Sequence, residues 1–315
     1  MDTLALTIIV IFSATLIVSY FKSTAKDRCL KDFQSFSTLV ILKNKETFWG
    51  YMYLESSGIV LEYPEPYDNI THSEKGYILY RAEFSALHGL FRIIDQLSPD
   101  ELRQRERTSL VFKRSWIVSV RRIFRNFFAA VRDAIADTFS LFIGRIAPKS
   151  AVVAGNQKYV KSVGESFIDY VGNSYDSILE RLTGKKVIIE VSRDGRWTEY
   201  EGTMRNYTKD FIEIVSVHMP VSYSVKCRKG ITEAFGITFE REEGSVTITN
   251  HRTAPISLSV AGREPVRLNE GDIKQVSELE EEAVFSVTFA TEVDAIFPRS
   301  EAIVRHPTVE FRRSR

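Results

Sequence analysis

Hydrophobic and polar positions divide the chain into stretches of different period. Thr3 to Phe21 (TLALTIIVIFSATLIVSYF) is a 19-residue run with neither a charge nor a polar stripe. As a helix rising 1.5 Å per residue it spans roughly 28 Å, close to the ~30 Å of a hydrocarbon core, and so predicts a transmembrane anchor over 1–25. Ser23-Thr24-Ala25 resembles a signal cleavage site, but only Met1 and Asp2 precede the apolar run, so an uncleaved anchor is the preferred reading. Short strand-like runs follow at Thr38–Leu42, Phe48–Leu54, Gly58–Tyr63 and Tyr77–Tyr80, with Tyr63-Pro64-Glu65-Pro66 read as a turn. Phe84, Leu87, Leu90, Phe91, Ile94 and Leu97 step by three or four and predict a helix, and Ser98-Pro99-Asp100-Glu101 is a capping box that opens another. A further helix is expected over 157–182, ended by Gly184.

From 185 to 313 the period is two. The clearest runs are Val187–Ile189, Phe211–Val217, Gly236–Phe239, Val246–Thr249, Ile256–Val260 and Val284–Phe289, with turns at Gly244 and at Asn269 to Gly271. The expected fold class is α+β and strand-dominated: an N-terminal transmembrane helix, small β-barrel-like units with a helical insert, and a C-terminal β-sandwich-like unit. The expected boundaries are 1–25 for the anchor, 33–82 for a small β unit and 83–182 for the helical region. A β-barrel-like domain follows at 185–243 and the sandwich-like unit at 244–315.

Composition is globular, with 44% hydrophobic and 26% charged residues, and this excludes a disordered chain or a multi-span membrane protein. Two cysteines, Cys29 and Cys227, suit a reducing compartment. Cys29, close behind the anchor, is a candidate for lipidation. The single acid ahead of the anchor and Lys22, Lys26, Arg28 and Lys31 behind it place the bulk of the chain in the cytoplasm by the positive-inside rule, as a single-pass membrane protein.

The net charge of +1 conceals one basic stretch, because residues 103–149 hold 11 Lys and Arg against 3 Asp and Glu. Within it Trp116, Val120, Ile123, Phe124, Phe127, Val131 and Ile135 step by three and four, while Arg121, Arg122, Arg125 and Arg132 fall between them. A basic amphipathic helix over 115–147 fits this pattern. Two readings stand side by side: a helix on an anionic leaflet, with Trp116, Arg121, Arg122, Phe124, Arg125, Phe127, Phe128 and Arg132 touching the membrane, or a helix packed on the core with its arginines in water. Four arginines inside the would-be span disfavour a second transmembrane pass.

Lys186-Val187-Ile188-Ile189, Asp194-Gly195-Arg196, Gly202-Thr203-Met204 and Phe211-Ile212-Glu213-Ile214 together resemble the first half of an Sm-like small β-barrel. A fainter copy runs through Leu39–Leu42, Gly50-Tyr51-Met52 and Ile59-Val60-Leu61. The resemblance implies a barrel shape. The family's RNA-binding acid and asparagine positions hold Thr208 and Ile212 here, and Ser56 and Val60 in the copy, which argues against inherited RNA binding.

No Walker A, G-x-G-x-x-G, G-x-S-x-G, H-E-x-x-H or C-x-x-C motif occurs, and the five histidines show no metal-ligand spacing. No catalytic residue, metal ligand or cofactor is assigned. The leading expectation is a membrane-anchored cytoplasmic scaffold or assembly module without catalytic activity. Its partners would be the anionic leaflet, unidentified proteins and further copies of itself joined through the helix at 157–182 into a homo-oligomer. Nucleic acid is disfavoured. An enzyme or small-ligand sensor with its site in the β domains, and a membrane-associated RNA-binding barrel, are the alternatives.

Overall fold

A computed structural model describes residues 26–68, 72–113, 176–193, 195–227, 229–260, 263–277 and 283–308. The chain divides into two compact units. Cys29–Arg107 and Leu182–Arg315 form a β body; Met1–Arg28 and Thr108–Arg181 form the other unit, of which only 26–28, 108–113 and 176–181 are described. The expected anchor (1–25) and the basic helix (115–147), with all eight of its proposed membrane-contact residues, lie outside the described residues. No helix among the described residues is long and apolar enough to cross a membrane.

In chain order the elements are α1 (Arg28–Lys31), β1 (Ser37–Leu42), β2 (Thr47–Leu54), β3 (Gly58–Asp68), β4 (Ser73–Tyr80), β5 (Leu87–Ile93), α2 (Pro99–Lys113) and α3 (Ser177–Leu182). Then come β6 (Lys186–Arg193), β7 (Arg196–Tyr207), β8 (Phe211–Cys227), β9 (Gly230–Ala234), β10 (Ile237–Glu242) and β11 (Ser245–Asn250). The last are β12 (Ile256–Val260), β13 (Val266–Leu268), β14 (Ile273–Ser277), β15 (Ala283–Pro298) and β16 (Ala302–Pro307). The fold is strand-dominated, with two antiparallel sheets. The larger runs β16-β6-β7-β8-β15-β5-β1-β2-β3-β4, with the β12–β13 hairpin joined to β15; the smaller runs β14-β11-β10-β9.

The large sheet is built twice from one plan. In each half a helical turn leads into five antiparallel strands, of which the fifth returns beside the first: β5-β1-β2-β3-β4, and β16-β6-β7-β8-β15. The correspondence reaches single residues. Ser35 and Gly184 both end the helical turn at positive φ, 66° and 80°. The N–H of Ser35 donates to the carbonyl of Met52, and that of Gly184 to the carbonyl of Met204. Met52 and Met204 donate back to the carbonyls of Phe36 and Lys185. Two residues before each methionine stands a glycine, Gly50 or Gly202, with no room for a side chain. A Cβ on Gly202 would lie 2.5 Å from Cγ2 of Ile214 and 2.6 Å from Cγ2 of Val217. We therefore expect Gly202→Ala to lower the urea midpoint by the equivalent of about 1–3 kcal/mol, the usual penalty for overpacking, with an unchanged m-value.

The halves differ in what joins their third and fourth strands. Between β3 and β4 there is a short connection; between β8 and β15 the chain makes β9 to β14. The apolar face of the small sheet (Ile237, Phe239, Val246, Ile248 and Val276) is buried, and the Phe239 ring meets Phe285 on β15 at 5.8 Å. The core of the first half gathers Phe33, Val40, Met52, Ile59, Leu61 and Leu90 and takes in Phe211 and Ile296 from the second half, so the two halves share one interior.

Four sequence expectations change here. The helical pattern over 84–97 belongs to a 3-10 turn at Arg81–Ala86, strand β5 and a second 3-10 turn at Ile94–Gln96. β5 lies between β1 and β15 and is buried along almost its whole length, so its apolar residues Leu87, Leu90, Phe91 and Ile93 do not alternate with exposed polar ones. The Tyr63–Pro66 turn is part of β3: the prolines have no N–H to offer, so the ladder to β4 slips between Glu62 and Tyr67 and then resumes. The barrel-like units are stretches of one open sheet, because β5 and β15 pair with each other and leave neither half to close on itself. Finally, β15 and β16, placed in the unit 244–315, belong to the large sheet. The capping box is present as expected: the N–H of Ser98 donates to Glu101 Oε2, and the N–H of Glu101 to Ser98 Oγ.

Candidate functional site

Where the halves meet, charged side chains are sealed inside an apolar sheet. β5 and β15 pair antiparallel, with Arg92 opposite Asp294. A bulge between Val293 and Ala295 takes Asp294 out of the ladder with β8, and Ser216 on β8 turns to φ 56° at the same place. The N–H so released by Ser216 donates to Asp294 Oδ1 at 3.0 Å. Arg92 donates to Oδ2 through Nε (3.1 Å) and Nη2 (2.5 Å). Arg105, on α2, donates through Nε to Oδ2 (2.7 Å) and through Nη2 to Oδ1 (2.9 Å), and its Nη2 also reaches Ser216 Oγ at 3.0 Å.

Asp294 thus collects donors from β5, β8 and α2 while fully buried. Burial alone would push its carboxyl up. The hydrogen bond and charge of Arg105, with Arg92 beside it, outweigh that and hold the group below the usual carboxylate range. Burial pulls Arg92 down, and Asp294 works against it. The Arg92 guanidinium also lies over the rings of Phe33 (4.6 Å) and Phe36 (4.3 Å) and donates from Nη1 to the carbonyl of Asp32. One arginine therefore pins the lead-in to β1, strand β5 and the other half's fourth strand.

A second cluster lies alongside. Arg205 on β7 has its Nε 3.5 Å from Oε1 of Glu213 on β8 and 3.5 Å from Oδ2 of Asp32. Glu213 is fully buried and neither of its oxygens has a hydrogen-bond partner. Burial raises its carboxyl well above the ordinary value, and this exceeds the opposing pull of Arg205 and Arg92, while the Asp32 charge adds to the rise. Burial favours the protonated form of Glu213, whereas the arginines around Asp294 favour its charged form.

A third cluster joins the small-sheet region to the rest of the body. Arg252 Nη2 donates to Asp95 Oδ2 at 2.5 Å, Nη1 donates to the carbonyl of Phe235 at 2.8 Å, and the guanidinium lies 3.8 Å above Phe289. Thr291 on β15 donates to the same Asp95 oxygen. No match is found among family models, curated proteins or solved structures.

None of these charged residues stood out in the sequence. The one available signal was a single charge flanked on both sides by apolar residues, as in Leu-Phe-Arg92-Ile-Ile and Phe-Ile-Glu213-Ile-Val; Asp294 lacks it, with Glu292 two residues ahead. Their pairing could not be read, because Arg92 and Asp294 are 202 residues apart in the chain. Of the five histidines, His218 is exposed on β8, opposite Glu292. Among the described residues no group of His, Cys, Asp and Glu is arranged to hold a metal ion. Both cysteines are buried and outside any disulfide, and burial pushes the Cys227 thiol up to about 12. Cys29 has no exposed surface and offers no sulfur to an acylating enzyme while the body is folded.

In chemical terms the Asp294 arrangement holds rather than reacts. Its carboxylate is saturated with donors and closed to water, and it joins two half-sheets to the start of α2. The Glu101 side chain strengthens that attachment by accepting from Ser98 N–H through Oε2 and from Ser37 N–H through Oε1.

Proposed function

We propose that this chain is a membrane-anchored scaffold or assembly module, with a β body made of two Sm-like half-sheets and the four-stranded sheet β14-β11-β10-β9 inserted between β8 and β15. The observation that carries the reading is Arg105. One helix, α2, is fixed to the joint of the two half-sheets at Glu101 and Arg105 and runs on to Lys113, next to the basic amphipathic segment. The uncharged run Thr3–Phe21 supplies the anchor, and the basic residues behind it favour a cytoplasmic body.

The test removes residues 1–25 and measures binding to vesicles of anionic lipid. The shortened protein is expected to bind at low salt and to release as salt is raised. Each arginine near an anionic surface contributes about 1 kcal/mol, so exchanging Arg121, Arg122, Arg125 and Arg132 together for glutamine should weaken binding by about 10²–10³-fold. Absence of binding at low salt, with the β body folded by circular dichroism, removes the interfacial part of the proposal. A carboxy-terminal reporter on the full chain that works only outside the cytoplasm overturns the orientation.

A further inference from the structure

The two half-sheets are joined through the fifth strand of the first (β5) and the fourth strand of the second (β15). The same two kinds of strand stand at the ends of the large sheet: β4, a fourth strand, and β16, a fifth. Among the described residues no strand pairs with the outer edge of β4 from Gly76 to Tyr80 or with the outer edge of β16. We propose that β16 of one copy pairs with β4 of the next in the register of the internal joint, so that copies assemble head to tail. This rests on the scaffold reading and names its partner as a second copy of the same chain.

The register follows from the repeat. Met52 corresponds to Met204, so Leu61 and Ile214, which pair with them, correspond as well. Tyr77 pairs with Leu61 and Ala295 with Ile214; Ile78 pairs with Val60 and Ile296 with Glu213. Tyr77 therefore takes the place of Ala295, and Ile78 that of Ile296. On the other edge Leu39 corresponds to Ile188 and Val40 to Ile189, so their partners Phe91 and Leu90 correspond to His306 and Val304. The internal joint sets Ala295 opposite Phe91 and Ile296 opposite Leu90. Its repetition between copies sets Tyr77 opposite His306 and Ile78 opposite Val304.

Exposure points the same way. Ile296 and Leu90 are wholly buried in the internal joint, whereas Ile78 is 51% exposed at the open edge and its neighbour Tyr80 is 55% exposed. A strand edge carrying apolar side chains is a template for another strand. An interface between two different edges is heterologous: it does not stop at two copies, and it yields a ring or a filament according to the rotation per copy.

Cross-linking tests this on the full chain in mild detergent. Opposed residues in an antiparallel pair lie about 4.5–5.5 Å apart between Cα atoms, within reach of a disulfide. The double variant Ile78→Cys/Val304→Cys is expected to form dimers and larger species on oxidation that collapse on reduction. Ile78→Cys alone and Val304→Cys alone should stay monomeric on the same gel. In the otherwise unaltered chain, Ile78→Lys should shift the sedimenting species towards the monomer while leaving the thermal transition in place.

The proposal is overturned if the double variant remains monomeric with a normal thermal transition. It is equally overturned if Ile78→Cys alone cross-links, which would mean a symmetric pairing of like edges. Failure of the membrane reading shows instead as lost vesicle binding with the cross-link intact. Failure of self-pairing shows as a lost cross-link with vesicle binding intact.

Discussion

Replacing Asp294 by alanine is expected to cost about 3–5 kcal/mol, because it leaves the buried Arg92 guanidinium without its carboxylate and frees Arg105 from the joint. Small domains are stable by about 5–15 kcal/mol, so this one change takes a large share. Urea denaturation followed by far-UV circular dichroism measures it. Arg105→Gln should cost less, since Arg105 is partly exposed and water can take over its partners. It should nonetheless raise hydrogen exchange in the first turns of α2, whose attachment it removes. Exchanging Arg92 and Asp294 together for methionine and leucine removes both charges and should recover much of the loss, as apolar replacements of buried ion pairs often do. A loss for Asp294→Ala below about 1 kcal/mol, the range of an exposed pair, would mean that the network is not what joins the half-sheets.

The second large effect concerns Glu213 and pH. Its carboxyl is raised in the folded protein above the ordinary 4.5, so the folded state binds this proton more tightly than the unfolded state does. The contribution to stability is fully present below 4.5 and is lost as pH rises through the higher folded value. Asp294 has the opposite sign: its contribution is present above the ordinary 3.8 and disappears as pH falls through the lower folded value. The protein should therefore be weakened by acid through Asp294 and by alkali through Glu213. Glu213→Gln keeps the shape of the protonated acid and cannot ionise, so it should flatten the alkaline limb. At the alkaline end it should be more stable than the parent by about 1–3 kcal/mol, the penalty of a buried polar group left unsatisfied. If the midpoints of parent and variant follow each other across the whole range, Glu213 is ionised in the folded state and Arg205 is a stronger partner than its 3.5 Å approach implies.

Much of the strand architecture could be read from the chain. The runs at 38–42, 48–54, 187–189, 246–249 and 256–260 all lie inside strands. Sequence period fails at β5, and the reason is physical. Spacings of three and four fit all six apolar residues over 84–97, yet only Leu87, Leu90 and Phe91 of them lie in β5, so apolar position alone does not distinguish helix from strand there. Position decided the matter, because an extended segment was required between β1 and β15.

By itself the sequence determined the local devices: the capping box at Ser98, the turns at Gly195 and Gly244, and the glycine–methionine strand that occurs as Gly50-Tyr51-Met52 and again as Gly202-Thr203-Met204. Each depends on atoms a few residues apart, whose chemistry is the same in any fold. Only the tertiary structure decided that the two copies form one open sheet, that β9 to β14 interrupt the second copy, and that Arg92, Arg105 and Asp294 converge. Those outcomes depend on which strand edges find each other across some two hundred residues. The free energy of that choice comes from shared burial and from a charge that only its distant partners can neutralise.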